Sequence, residues 1–561
     1  MQLSSLLTRL LRFLLPACLI ATTLLYAYPP LRGCHFPQIP PCAANASTGI
    51  DCNGSSSTPA PFRLLALGDP QLEGDSSVPA ASEARLPHLR TLWSELRARE
   101  WRGAAAAAKE LVMKDLWKAV ATYRKRLDLL GNDFYLAHVY RSLRFWTRPT
   151  HVTVLGDLLG SQWVSDAEFE RRGSRFWGRV FRGAERVPGR VMDSVKEGDG
   201  EVWREVLGQD EGWGNRVIAI AGNHDVGYAG DLSEERVERF ERVFGRVNWE
   251  VVFTLPKSKL LPNTTDPKTD EVTAGDPATP DETLTDNTKV DGEDAATAHA
   301  PELRLLILNS MNLDIPALSA AQQTATYTFI NDVITRSRPV TDPSTLTLLL
   351  THIPLHKPAG VCIDAPFFAF YPPHEGGGVR EQNHLSQHAS ASILEGVFGL
   401  SGRVEAPARG MGRRGVILTG HDHEGCDVVH FHPRGDGAEW SAVRTPVNGD
   451  VGKVVLGEVP KVREVTLRSM MGEFGGYAGF VSAWFEEGSG EWRVEVQTCG
   501  FAVQHWWWVV HVLDLVALGV VVVVGVLRAW EGVWGTRKVE EKRREEKKEE
   551  VKRKKKLEER S

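Results

Sequence analysis

Ten side chains able to hold a metal or move a proton stand in five short strings, each directly after an apolar, β-rich run. Phe62 to Leu67 precedes Gly68-Asp69-Pro70-Gln71, His151 to Leu155 precedes Gly156-Asp157, and Val217 to Ile220 precedes Gly222-Asn223-His224-Asp225. Leu346 to Leu350 precedes Thr351-His352, and Val416 to Leu418 precedes Gly420-His421-Asp422-His423. The pattern predicts five strand ends delivering these groups to one rim, where α/β sheets place their sites. Carboxylate, amide and imidazole together form a mixed hard and borderline set, suited to Mn, Fe or Zn and not to a thiolate-bound structural zinc. A carboxylate such as Asp157 can bridge two ions about 3.5 to 4 Å apart, the separation at which both touch one phosphate. His421 and His423 are two apart, so in an extended segment they point the same way. Taken singly, Asp69 or Asn223 reads as a turn or cap residue and His352 as a core histidine. The ordered set is what points to a metal centre.

Those five strands need a large domain, and 561 residues with 42% hydrophobic content supply one. Two apolar stretches bracket it. Phe13 to Tyr28 is uncharged and follows Arg9 and Arg12, as a signal anchor would; Pro29 and Pro30 come next, with no small-residue cleavage site before them. Val509 to Leu527 is close to the ~20 residues that a spanning helix needs, with Trp506, Trp507 and Trp508 before it and Arg528 after it. His511 and Asp514 lie inside that stretch and are expected near the interface or against a partner helix.

Basic residues on the outer flanks place both termini in the cytosol by the positive-inside rule. The expected organisation is a cytosolic 1–12, an anchor at 13–28, a lumenal linker at 29–61, a lumenal domain at 62–505, a spanning helix at 506–528 and a charged cytosolic tail at 529–561. Sequons at Asn45, Asn53 and Asn263 agree with a lumenal middle as glycosylation sites. So do the cysteines: of seven, Cys18 lies in the anchor, leaving Cys34, Cys42, Cys52, Cys362, Cys426 and Cys499, whose pairing the sequence does not reveal.

Residues 82–146 carry Leu, Ala, Arg and Glu at helical spacing and predict one or two amphipathic helices. Residues 257–301 are rich in Thr, Asp, Pro and Gly and predict a disordered acidic insertion. The last 26 residues hold 13 basic and 8 acidic side chains, so the rest of the chain, whose total charge is −6, carries about −11. That acidity argues against nucleic acid as a partner.

In order, Gly-Asp-Pro-Gln, Gly-Asp-Leu-Leu, Gly-Asn-His-Asp, Thr-His-Ile-Pro-Leu and Gly-His-Asp-His resemble the calcineurin-like metallophosphoesterase superfamily, over about Phe62 to Ala502. More closely, the chain resembles the fungal ER enzymes related to cell division control protein one and to the mammalian GPI-anchor ethanolamine-phosphate phosphodiesterase; the fungal ones favour Asp-Pro-Gln at the first string, where other branches have Asp-x-His. Asn132-Asp133-Phe134-Tyr135 and Met471-Gly-Glu-Phe-Gly-Gly add to the likeness. The resemblance implies a four-layer α/β/β/α sandwich with a membrane helix at each end. It implies two divalent ions, Mn first and Fe or Zn next. Asp69, Asp157, His423 and Gln71 would hold one, with Gln71 where histidine is usual; Asp157, Asn223, His352 and His421 would hold the other. His224 becomes the catalytic acid or charge stabiliser, with Asp225 orienting its ring, and an ion-activated water attacks phosphorus. The implied substrate is the ethanolamine phosphate of GPI glycolipid or GPI-anchored proteins in the ER lumen. An amide oxygen is a weaker donor than imidazole, so Gln71 implies a looser first site. The alternatives are another lumenal phosphomonoesterase or phosphodiesterase, or a trafficking adaptor whose metal site has decayed.

Overall fold

A computed structural model of the chain describes residues 2–40, 58–74, 86–193, 202–256, 300–435, 437–446 and 458–558. The three sequons, Cys42 and Cys52, and nearly all of the acidic insertion at 257–301 lie outside these residues. The fold is mixed α/β.

All five sequence-predicted strands form, but in two sheets. Phe62–Leu67, His151–Val154 and Arg216–Ala219 run parallel in the middle of a six-stranded sheet, flanked on one side by the antiparallel hairpin Tyr477–Glu486 and Glu491–Gly500. Thr345–Leu350 and Arg414–Thr419 run parallel in an eight-stranded sheet, beside Glu302–Ile307 on one side and Lys461–Thr466 on the other.

Side-chain alternation explains how the sheets pack. Phe62, Leu64 and Ala66 of one sheet share a buried core with Leu303, Leu305, Leu346, Leu348 and Val416 of the other. Leu65, Leu67 and Val152 point the opposite way, into a core that also holds Tyr135, Leu136 and Tyr140 of the helix Trp117–Thr147. Leu306 and Leu349 of the second sheet join Ile330 and Val333 of the helix Ala320–Arg336. Helices thus cover the outer faces and the sheets face each other. Each fully buried Leu or Phe in these layers contributes roughly 1.5–3 kcal/mol relative to exposure.

The helical region expected at 82–146 resolves into Pro87–Ala98, Trp101–Glu110, a wider turn at Leu111–Leu116 and Trp117–Thr147. The last of these stops at Arg148, which takes a left-handed conformation (φ 47) just before Pro149.

Both terminal apolar segments are helices longer than the expected spans. Gln2–Leu31 runs through Pro29 and Pro30, and Gln504–Glu558 carries the charged tail as one continuous helix. Each is long and apolar enough to cross a membrane. They pack on each other, and the two awkward polar residues face the partner: Thr22 Oγ1 donates to Asp514 Oδ2 at 2.8 Å, and Tyr26 Oη lies 3.2 Å from His511 Nε2. Arg528 donates to Thr8 Oγ1 at 3.1 Å.

Two disulfides form among the described residues, Cys34–Cys499 and Cys362–Cys426, and Cys18 is a buried free thiol. The described ends of the stretch expected to be a linker at 29–61 are pinned: Cys34 is bridged to the strand Glu491–Gly500, and Gln38–Ile39 pairs with Thr58–Pro59.

Candidate metal centre

Parallel strands bring their C-terminal ends to one edge, and backbone bonds lock the loops that follow. Gln71 N–H donates to Asp157 O at 2.9 Å and Leu72 N–H to Leu158 O at 3.1 Å, so the first two strings lie side by side. Gly420 N–H donates to His352 O at 3.1 Å and joins the two strings of the other sheet. Met470 N–H donates to Gly68 O at 2.9 Å, bringing the Met471 turn to the same rim.

The backbone is strained where the ligand candidates sit. Asp69 (φ 43), Gln71 (φ 40), Asp157 (φ 47) and His421 (φ 72) are all in the left-handed region, which costs a non-glycine residue of order 1 kcal/mol or more and clusters at functional sites. Gly156 (φ 96) is required for space as well: a methyl group there would stand 2.2 Å from His352 Nδ1.

The seven expected ligands form one connected group. His352 Nδ1 lies 2.7 Å from Leu155 O, and His421 Nε2 lies 2.8 Å from Gln382 O. Each ring proton is thereby committed to a carbonyl, a tautomer inferred from the hydrogen-bond network. The other ring nitrogens, His352 Nε2 and His421 Nδ1, then present lone pairs to Asn223 Oδ1 at 3.0 and 2.9 Å. Asp157 Oδ1 is 3.4 Å from the same His352 nitrogen. Lone pairs facing an oxygen with no proton between them repel, and a cation in their midst removes the repulsion.

On the other edge, Gln71 Nε2 sits 3.0 Å from both Asp157 Oδ2 and His423 Nε2. Asp69 is fully buried, and its Oδ2 has no hydrogen-bond partner. Asp69, Asp157 and His352 each offer a ligand atom, and these atoms lie within 4.8 Å of one another.

The electrostatics agree. Burial and the charge of Asp157 hold the Asp69 carboxyl well above the usual range. Asp157 is also buried, but the imidazoles of His352, His224 and His421 pull it below. Burial lowers His352 and His423 and takes His421 to about 3, so the rings are neutral, the form that ligates a metal. Two buried carboxylates, an orphaned carboxylate oxygen and neutral imidazoles fit divalent cations and little else.

His224 lines the same centre. Its backbone N–H donates to Asp157 Oδ1 at 2.8 Å, its Nε2 lies 3.8 Å from Asp157 Oδ2, and about a third of the side chain reaches solvent. Asp225 differs from the expectation that it orients the His224 ring. Its carboxylate accepts the backbone N–H groups of Leu158, Leu159 and Gly222 at 3.0 to 3.1 Å, while His224 Nδ1 has no partner. The short helix Asn223–Val226 turns Asp225 inward toward the Asp157 loop, so it braces the Asp157 and Gly222 loops against each other.

No family model matches the chain. Protein TED1 of Saccharomyces cerevisiae is 29% identical over 483 residues, which cover 77% of this chain and 86% of the yeast protein. The chain is therefore similar to TED1 along most of its length. An uncharacterized protein of Schizosaccharomyces pombe is 29% identical over 369 residues, 64% of each chain. A solved dimetal phosphatase from Danio rerio overlaps 79% of this chain and 98% of its own at 11% identity, but with a TM-score of 0.30 the overlap adds nothing to the site geometry.

Three contributors to the centre carried no sequence signal of their own. The carbonyls of Leu155 and Gln382 set the tautomers of His352 and His421 through main-chain atoms, which any residue type supplies. Phe474, whose ring packs 4.9 Å from that of His423, lies in the Met471-Gly-Glu-Phe string, where only the family likeness marked it.

Proposed function

We propose that this chain is a two-metal phosphodiesterase of the ER lumen that removes ethanolamine phosphate from a mannose of GPI anchors. The observation that carries the metal centre is the convergence of His352 Nε2, His421 Nδ1 and Asn223 Oδ1 with both ring protons committed elsewhere. Asp69, Gln71, Asp157 and His423 would hold one ion and Asp157, Asn223, His352 and His421 the other; the mixed oxygen and imidazole set suits Mn, Fe or Zn, and the family likeness favours Mn. Ions there would activate water near neutral pH and neutralise charge on the phosphoryl oxygens.

The chain's own residues do the rest. The backbone N–H of His224 fixes one oxygen of Asp157, and its partly exposed ring is placed to donate a proton to the leaving alkoxide. Gln71 as drawn donates its amide N–H to Asp157 and His423; rotated by half a turn, the same amide presents its oxygen, at the same two neighbours, to a cation.

The lumenal assignment, with both termini cytosolic, draws support from two disulfides, which persist in oxidising compartments, and from the two terminal helices. The diester substrate comes from the family likeness. Metal analysis of the purified full-length protein together with mass spectrometry of GPI glycans from cells lacking it tests the reading. About two transition ions per chain and retained side-branch ethanolamine phosphate are expected. An empty site would favour the trafficking adaptor, and unchanged glycans would reject the substrate.

A further inference from the structure

The helix Trp117–Thr147, with Leu116 just before it, carries an apolar row left exposed by the described residues. Leu116, Val120, Leu127, Leu130, Phe134 and Phe145 recur at three- and four-residue steps or their sums and are 39% to 70% exposed. A row with that spacing is one face of a helix, and a solvated face of this kind is ordinarily polar.

The same side of the helix is where the two terminal helices end. A methyl group on Gly131 would stand 1.7 Å from the Trp508 ring, so that ring rests directly on the helix. Tyr135 packs against Trp507 with ring centroids 6.2 Å apart, and the His138 and Tyr26 rings meet edge-on at 4.8 Å. Trp146 Nε1 donates to Tyr26 O at 2.7 Å. Leu127 precedes Gly131 by four residues, Phe134 precedes His138 by four, and Phe145 follows His138 by seven, so row and contact points share one side. Some four turns of the long helix, Gly131 to Trp146, meet little more than one turn of each terminal helix, around Tyr26 and Trp508. The long helix therefore lies across their ends, with its apolar row continuing beyond them toward Leu116.

The metal centre adjoins the start of the second terminal helix. A methyl group on Gly472 would stand 2.3 Å from Gln504, the first residue of the second terminal helix, and Phe474 two residues on packs against His423. The edge carrying Gln71 and His423 is the one nearest the terminal helices.

We infer that the helix Trp117–Thr147, with the turn Leu111–Leu116 before it, lies along the surface of the bilayer as an interfacial helix, and that this contact turns the Gln71 and His423 edge toward lipid-anchored substrate. The inference rests on the reading that the terminal helices cross the membrane. The occupant is the same bilayer, because the row is continuous with the points where the spanning helices enter it.

Full-length protein with Cys18→Ala, reconstituted in phosphatidylcholine vesicles, is spin-labelled in turn at Val120→Cys, at Lys118→Cys on the opposite face, and at Leu518→Cys in the second terminal helix. Accessibility to oxygen and to a water-soluble nickel chelate is then read. The label at 120 is expected to lose nickel accessibility and gain oxygen accessibility relative to 118, with 518 deep in lipid. Nickel-accessible labels at 120 and 118 with a lipid-buried 518 overturn the interfacial helix alone; an aqueous 518 overturns the spanning reading and the inference with it. V120E/L127E should lower turnover of a vesicle-embedded phosphodiester lipid about tenfold and leave turnover of a soluble aryl phosphodiester unchanged. Equal turnover of both by variant and parent overturns the role in presenting substrate.

Discussion

At the level of single residues the centre is a problem in charge. Asp69 and Asp157 are both buried; burial and then repulsion from Asp157 lift Asp69, while three imidazoles hold Asp157 down against its own burial. A divalent ion relieves both carboxylates at once, which offsets the left-handed backbone at Asp69, Gln71, Asp157 and His421. His224 is the one histidine of the centre with no expected ligand role and with part of its ring open to solvent. His224→Ala should leave metal content nearly intact and lower turnover by ~10² or more. Inductively coupled plasma analysis beside a diesterase assay checks this, and unchanged turnover rejects the role. Asp225 is read as a brace: Asp225→Asn sets an amide against three N–H donors and should cost about 1.5–3 kcal/mol, seen as a lower Tm. An unaltered Tm would return Asp225 to the list of acid–base candidates.

The elements that present these residues are held from beneath. The loop after Thr345–Leu350 carries His352 and is anchored by a buried network under its far end. Lys357 Nζ donates to Glu464 Oε1 at 2.7 Å, His430 Nε2 lies 2.7 Å from Glu464 Oε2, and Leu355 N–H donates to the same oxygen at 3.1 Å. Burial raises the Glu464 carboxyl, but the charge of Lys357 and the bond from His430 outweigh it and bring the group to about 2, below its ordinary 4.5. A depressed carboxylate stabilises the fold above its unfolded value and loses that contribution as pH falls through the folded one. The network should therefore weaken between pH 4.5 and about 2. Glu464→Gln strands Lys357 in the interior and should cost about 3–5 kcal/mol at neutral pH. Denaturant titrations of parent and variant from pH 7 downward measure this, and a constant gap across the acid window would refute the assignment.

The whole molecule couples its catalytic body to its two ends. Cys34–Cys499 joins the residue just past the first terminal helix to the strand just before the second, so both helices leave the domain from one corner. Cys499→Ser should destabilise the domain between the terminal helices by about 2–4 kcal/mol, read as a lower Tm under non-reducing conditions, and reduction should bring the parent to the level of the variant or below. A parent whose Tm ignores reductant would show that the bridge carries no stability. Packing of Thr22 on Asp514 and Tyr26 on His511 completes the coupling, since each polar group inside an apolar helix finds a partner on the other.

Residue type and order by themselves pointed to the chemistry: five strand-end strings supplied the seven ligand candidates and His224 that the fold brings together, because metal coordination demands particular donor atoms and β-rich runs with glycine turns announce where those donors emerge. The two terminal helices were legible for a similar reason, since long apolar runs have few other stable uses. Only the tertiary structure decided that the five strands divide between two sheets, that Asp225 braces loops and leaves the His224 ring alone, and that main-chain carbonyls of Leu155 and Gln382 set the imidazole tautomers. The cysteine pairing and the apolar side of the long helix against the terminal helices belong with these. Each depends on contacts between residues far apart in the chain, where backbone atoms and packing faces act regardless of the side chain that labels them in the sequence.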